Sequence, residues 1–252
     1  MKKRILPLLL TILLVMSLLP CVAFADTTPV IKNIIYMIPD GAGYPVYDFA
    51  NDVKTAGGFN RSVYPNSTPT TKGPMALRDY LVGSAITSPY GGGVTDSAAA
   101  GTALATGQKT INGYIGVDRK GKPIANLVEA AQSKGKATGV IATYEWMHAT
   151  PGAFSAHASG RGDYYNIYQQ MENKGMQVVL GAGYGAVSSY ATIQNAVDRG
   201  YTVVSTKSDL AAVKPGQKIW GNIASSSLPY DINLSSTQGN LAEMTQAAIT
   251  SL

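Results

Sequence analysis

The apolar positions fall in short runs parted by turn residues. Val30 to Ile38 (VIKNIIYMI) is β-branched and nearly continuous, and it stops at Pro39-Asp40-Gly41, which predicts a buried strand ending in a turn. Pro45 to Lys54 predicts a short helix, Gly57 to Gly73 a loop, Pro74 to Leu81 another short helix and Ser84 to Tyr90 a strand. Gly91-Gly92-Gly93 leads into Ala98 to Thr106, a stretch of small residues and helix formers. Ile124 to Lys134 predicts a helix closed by Gly135. Downstream, predicted strands at 137–143, 177–180, 201–204 and 218–223 alternate with predicted helices at 164–173, 191–198, 209–213 and 238–252. Such alternation implies an α/β layered domain with a largely parallel sheet. Ligands of these sheets gather at the carboxyl ends of strands. Asp40, just after one predicted strand, and Ser97, between a glycine-rich loop and a helix, occupy candidate positions.

The first 25 residues change the meaning of the charge. Lys2, Lys3 and Arg4 precede an apolar run from Ile5 to Leu19, and Ala23-Phe24-Ala25 follows, the pattern of a signal peptide over residues 1–25. Its removal takes three positive charges from a formal +5 and leaves +2 on residues 26–252. That balance gives no support to nucleic-acid binding or to an anionic membrane surface. The single cysteine, Cys21, lies inside the signal, so the exported chain has no disulfide, no thiolate nucleophile and no thiolate metal site. Leu18-Leu19-Pro20-Cys21 matches a lipoprotein site poorly, because Pro20 precedes the cysteine. No later apolar stretch reaches the ~18 residues of a membrane span. With 45% hydrophobic and 14% charged residues, the chain is expected to fold into one large domain or two small ones.

Val94 to Thr102 (VTDSAAAGT) carries the strongest chemical signal. A serine at the start of a helix has its hydroxyl beside unsatisfied backbone N–H groups and the positive end of the helix dipole, a setting that suits an oxyanion or a phosphate. The same setting favours ionisation of a hydroxyl that is otherwise a weak nucleophile. The plainer alternative is that Ser97 or Asp96 only caps the helix. There is no G-x-S-x-G elbow, and only two histidines are present, so a Ser-His-Asp hydrolase has no support.

Four motifs in order resemble those of alkaline phosphatases: Asn33 to Gly43 (NIIYMIPDGAG), Val94 to Thr102 continuing through Gly107 to Asp118 (GQKTINGYIGVD), His148-Ala149-Thr150-Pro151, and Ala156 to Arg161 (AHASGR). The tail from Gly200 to Leu252 is also similar to the corresponding family region. The resemblance implies a three-layer α/β/α sandwich with a largely parallel central sheet. It also implies a metal-dependent phosphate monoester hydrolase working through a phosphoserine at Ser97 and able to dimerise, while the signal pattern of residues 1–25 implies export to the periplasm, cell wall or medium. Arg161 takes the place of the phosphate-clamping arginine, for which a planar guanidinium with parallel donors is suited; alone it reads as an exposed helix residue. Asp96 would position Arg161 and so contribute to substrate binding. Asp40 takes the place of a carboxylate shared by a zinc and a magnesium, and alone it is a turn residue. Thr150 takes the place of a magnesium-ligand hydroxyl, and alone it reads as a helix cap before Pro151. His148 stands beside the magnesium site, where family members carry Asp or His, and a histidine there would bias the site toward zinc. His157 reads as structural, one helical turn before Arg161, and Glu145 as lying behind the ligands or in solvent. Within the superfamily a sulfatase lacks its Cys- or Ser-x-Pro-x-Arg signature, while a phosphodiesterase stays open.

The metal count raises a difficulty. Two zincs and one magnesium need several clustered His and carboxylates, since a catalytic zinc takes about three protein ligands. Only Asp40, His148 and Thr150 stand in matching places. The last predicted helix, apolar at Leu241, Met244, Ala248, Ile249 and Leu252, carries no stop signal. The resemblance places a magnesium-ligating Glu and the remaining zinc ligands further along. The chain therefore reads as residues 26–252 of the N-terminal portion of a catalytic domain, incomplete at the C-terminal side. The alternative is a catalytically inactive fragment that binds phosphate or a single metal at most.

Overall fold

The computed structural model describes residues 31–58, 72–189 and 191–252. The signal peptide expected at residues 1–25 and most of the loop expected at 57–73 lie outside them. The chain divides into two units, Met1–Ile38 and Pro39–Leu252. In the first, residues 31–38 form no strand, contrary to the pattern of Val30 to Ile38 (Val30 itself is outside the described residues). Ile31, Ile34 and Met37 are largely exposed. Strand propensity measures fit to a pleated, half-buried surface, and among the described residues no ladder provides that surface along this run.

The second unit opens with helix α1, Tyr44–Ala56, which has Pro45 in its first turn and ends on Gly57 in the left-handed region. A 3-10 helix, Ala76–Tyr80, stands where a short helix was expected. Ser84 to Tyr90 is not a strand. Its backbone is instead reached by the Lys109 ammonium, which donates to the Ser88 carbonyl at 2.6 Å, and Leu81, Val82 and Ile86 around it are exposed.

The remainder alternates as expected, with boundaries shifted by a few residues. Helices α2 (Ser97–Thr106) and α3 (Leu127–Gln132) precede strand β1 (Gly139–Glu145). Then follow α4 (Ala149–Ser155), α5 (Tyr164–Lys174), β2 (Val178–Ala182), α6 (Tyr184–Val187), α7 (Ile193–Asp198), β3 (Thr202–Val204), α8 (Lys207–Ala211), β4 (Ile219–Gly221) and α9 (Leu241–Ser251). The four strands form one parallel sheet in the order β1-β2-β4-β3. The inner strands β2 and β4 are buried at every residue, whereas β1 and β3 are partly exposed. This is why the inner strands read as continuous apolar runs.

Side-chain alternation separates two cores. Val178, Leu180 and Ile219 pack with Leu210 of α8 and with Met244, Ala247 and Ala248 of α9. On the other face, Val179 and Trp220 pack with Ile167, Tyr168 and Met171 of α5 and Ala196 of α7. The result is a helix–sheet–helix sandwich. Trp146, just past β1, meets Trp220 edge-on at 5.0 Å between centroids, and Tyr201 meets Trp220 at 5.2 Å. Edge-to-face pairs add ~0.5–1.5 kcal/mol beyond their burial. They anchor the turn after β1, which leads through His148 into α4 and Thr150. Among the described residues no helix is long and apolar enough to cross a membrane.

Candidate active site

Helix α2 begins at Ser97, with Asp96 as its cap: the Asp96 carboxylate accepts from the Ala99 N–H at 2.9 Å. Ser97 is thus the first helical residue and not the cap, so its hydroxyl is released from capping. It donates to one oxygen of Asp40 at 3.1 Å, and the other oxygen accepts from the Thr150 hydroxyl at 2.9 Å. No acceptor among the described residues takes the N–H of Ser97 or Ala98, so both remain available at the positive end of the helix. Thr150 is the second residue of α4, whose cap position is His148, not Thr150. The two helices meet closely because α2 carries Gly101. A Cβ there would lie 3.2 Å from the Ala153 Cβ and 3.4 Å from the Thr150 Cα. Small residues on facing helices thereby bring Ser97 and Thr150 onto one carboxylate.

Arg161 joins this group from a turn, not from a helix. One of its terminal nitrogens donates to Asp96 at 3.1 Å and the other to His148 Nε2 at 3.1 Å. Asp96 also accepts from the Gly113 N–H at 2.9 Å, so it caps α2 and holds the arginine at once. Side chains of both partners are about a third or a quarter exposed, 34% for Arg161 and 24% for Asp96. Solvent screening keeps such a pair near the surface value of ~0–1 kcal/mol, and its main effect is geometric. His148 is held below its ordinary pKa, first by burial and then by the Arg161 charge, against the opposing pull of Glu145 and Asp40. Its ring meets Tyr144 edge-on at 4.9 Å.

Glu145, at the end of β1, is buried and not in solvent. The Tyr164 phenol is pushed up to about 12 by burial and by its hydrogen bond to Glu145. His157 does not share a helix with Arg161, because Ala158 forms an antiparallel bridge with Ile115 and Gly160 and Gly162 flank the arginine. Its ring lies between the Gly116 carbonyl at 2.6 Å and Glu129 at 2.9 Å. Gly116 has φ +57°, and a Cβ there would collide with the Ala156 carbonyl. Asn112 and Gly113 hold Asp96 and the segment before it, which the sequence did not single out. The Asn112 carbonyl oxygen accepts from the Asp96 N–H at 3.0 Å and its amide donates to Val94 O at 2.9 Å, which fixes the entry into α2. Their Asn-Gly dipeptide signals only a turn.

The donors do not fit a zinc centre. Among the described residues no group of three or more His, Cys, Asp and Glu side chains is placed to hold a metal ion. Asp40 and Thr150 offer two hard oxygens side by side, and His148 Nε2 is engaged by Arg161.

The family model for alkaline phosphatase matches residues 31–252. Among curated proteins, alkaline phosphatase 4 of Bacillus subtilis is 36% identical over 227 residues, which is 87% of this chain and 48% of that protein. Alkaline phosphatase 3 of the same organism is 34% identical over 236 residues, 88% of this chain and 48% of that protein. The crystal structure of a cold-active alkaline phosphatase from a Shewanella species superposes with a TM-score of 0.65 at 34% identity, over 76% of this chain and 49% of that one. The chain spans about half the length of the relatives it matches. With the parallel sheet, its flanking helices and a family match reaching across every described element, the chain belongs to the alkaline phosphatase family.

Proposed function

We propose that this chain supplies the nucleophile and the phosphate clamp of an exported phosphate monoester hydrolase. The observation that carries the reading is the convergence of Ser97, Asp40, Thr150, Asp96 and Arg161, five residues from four separate segments, at the start of one helix. The Ser97 oxygen forms a bond to phosphorus as the ester oxygen leaves as an alcohol, taking a proton overall from the serine. Water then attacks the phosphoserine, restores the hydroxyl and releases inorganic phosphate. Asp40 orients the Ser97 hydroxyl. The open N–H groups of Ser97 and Ala98 and the Arg161 guanidinium face the charge that grows on the phosphate oxygens.

The zinc pair and the magnesium implied by family resemblance find only the Asp40 and Thr150 oxygens among the described residues, and no step above is routed through them. Ligands for those ions would come from polypeptide outside this chain, consistent with its spanning about half of its relatives. The signal-like residues 1–25 support export. A homodimer stands as a further proposal, on family resemblance alone. The scarcity of donors favours a second reading, a catalytically inactive chain that binds phosphate or one metal. Hydrolysis of p-nitrophenyl phosphate with added zinc and magnesium separates the two. It is measured on this chain and on a chain extended to the length of its relatives. Activity in the extended chain that disappears in Ser97→Ala supports the first reading. Binding of phosphate without turnover in both leaves the second.

A further inference from the structure

We propose that Asn112 is a site of spontaneous covalent modification, cyclising onto the Gly113 nitrogen and opening to aspartate or isoaspartate, and that the Asp96 carboxylate holds this reaction back. Asn112 is the only asparagine followed by glycine in the sequence. Glycine has no Cβ to shield its nitrogen from the side chain before it, and asparagine is among the thermolabile residues. Asn112 and Gly113 are the middle of a turn closed by the Tyr114 N–H on the Ile111 carbonyl at 3.3 Å, with Gly113 at φ +84°. Asn112 is exposed. Beyond its chain neighbours, no described atom lies within 4 Å of where a Gly113 Cβ would stand. Water and base therefore reach both residues.

The reaction starts when the Gly113 nitrogen loses its proton to a solvent base and bonds to Asn112 Cγ. The Cγ–Nδ2 bond then breaks, and the nitrogen leaves as ammonia with a proton from water. Water opens the cyclic imide at Cγ to give aspartate, or at the backbone carbonyl to give isoaspartate. Three contacts oppose the first step. The Gly113 N–H donates to Asp96 at 2.9 Å, and the negative charge beside it disfavours loss of that proton. The Asn112 side-chain oxygen accepts from the Asp96 N–H at 3.0 Å, and its amide donates to the Val94 carbonyl at 2.9 Å. The turn must open before the ring can close, so the rate reads that opening. The aspartate product has no donor for Val94 and sets a second carboxylate beside Asp96. Isoaspartate adds a methylene to the backbone of the turn. Either product loosens the entry into α2 permanently. The reaction consumes only water and is independent of the proposed function, whereas its cost to the Arg161 clamp that Asp96 anchors rests on that reading.

The test incubates the chain for weeks at mildly alkaline pH, folded and in unfolding urea, and maps the peptides by mass spectrometry. An isoaspartyl methyltransferase marks the isoaspartate. In urea Asn112 should convert ahead of every other asparagine, to a mixture of both products. Folded, it should convert ~10- to 100-fold more slowly. Asp96→Ser keeps a helix cap but releases the Gly113 N–H, and should convert Asn112 about 3- to 10-fold faster than the folded wild type, the scale of one lost hydrogen bond. Asn112→Asp, which is one of the products, should melt ~2–4 °C lower. Another asparagine converting first in urea would overturn the proposal, as would a folded chain left unmodified at Asn112 or equal rates in the two states. An Asp96→Ser chain no faster than wild type, or an unchanged Tm in Asn112→Asp, would overturn it too. Should Asp96→Ser fail to fold, Asp96→Thr, another capping residue, takes its place.

Discussion

Asp96 performs two tasks that substitution can separate. It caps α2 through the Ala99 N–H, and it holds Arg161 and the Gly113 N–H with its second oxygen. In Asp96→Ala all three contacts go. Loss of the cap costs ~1 kcal/mol, with a range of ~0.5–2. The Gly113 hydrogen bond adds ~0.5–1.5 kcal/mol, and the partly exposed ion pair adds less than ~1 kcal/mol after screening. The total is about 2–3 kcal/mol. Serine caps about as well as aspartate but cannot reach Arg161 as a carboxylate does. Asp96→Ser should therefore recover ~1 kcal/mol of stability over Asp96→Ala, or ~2–4 °C in Tm for a domain of this size. Both variants should lose the arginine anchor equally and bind inorganic phosphate about 3- to 10-fold more weakly than wild type. Thermal unfolding followed by circular dichroism, with calorimetric titration of phosphate, reads both effects. If Asp96→Ser is no more stable than Asp96→Ala, the cap is not formed as described. If Asp96→Ser binds phosphate like the wild type, Asp96 does not position Arg161.

Arg161→Ala removes the clamp itself, and inorganic phosphate should bind ~10- to 150-fold more weakly, the equivalent of ~1.5–3 kcal/mol; an unchanged constant in calorimetry would make Arg161 a solvated side chain. Burial pulls the Glu129 carboxyl upward, but hydrogen bonds from Lys174, His157 and the Asn126 N–H outweigh it and lower it from 4.5 to about 2. A lowered folded pKa means stability that is fully present above the unfolded value and lost as pH falls through the folded one. The stability advantage of wild type over Glu129→Gln should therefore shrink between about pH 4.5 and 2 in urea titrations, and a constant difference would contradict the network. Val82 and Ile86 are 101% and 83% exposed, so Val82→Ser with Ile86→Ser should change the unfolding free energy by less than ~0.5 kcal/mol per site while reducing self-association in sedimentation. A large destabilisation would show that these side chains are buried in solution.

The parts of the fold set by local chemistry were legible in the sequence. The α5 pattern predicts Tyr164 to Asn173, and the helix runs Tyr164–Lys174 to Gly175 in the left-handed region. The buried inner strands β2 and β4 announce themselves as apolar runs beside Gly and Lys-Gly turns. Residues 31–38 and 84–90 look equally strand-like and form none, because a run of apolar residues specifies willingness to pair and not the presence of a partner. The same limit applies around Ser97. The motif places Ser97 at a helix start and reads Asp96 as either a cap or an arginine partner, though one carboxylate has two oxygens and does both. Contacts such as Asn112 with Asp96, or Arg161 with His148, join loops distant in the chain, and no periodicity encodes them. The expectation that His157 lies one helical turn from Arg161 failed for a local reason that was visible: Ser159-Gly160-Arg161-Gly162 is poor helix sequence.

The nucleophile is the point on which the account turns. The most direct measurement is to incubate the longest polypeptide containing this chain with labelled inorganic phosphate at acidic pH, where a phosphoserine accumulates, then quench it, digest it and locate the label by mass spectrometry. One labelled peptide is expected, spanning Val94 to Thr102 with the phosphate on Ser97, and no label in Ser97→Ala. Label on any other residue, or undiminished label in Ser97→Ala, would contradict it.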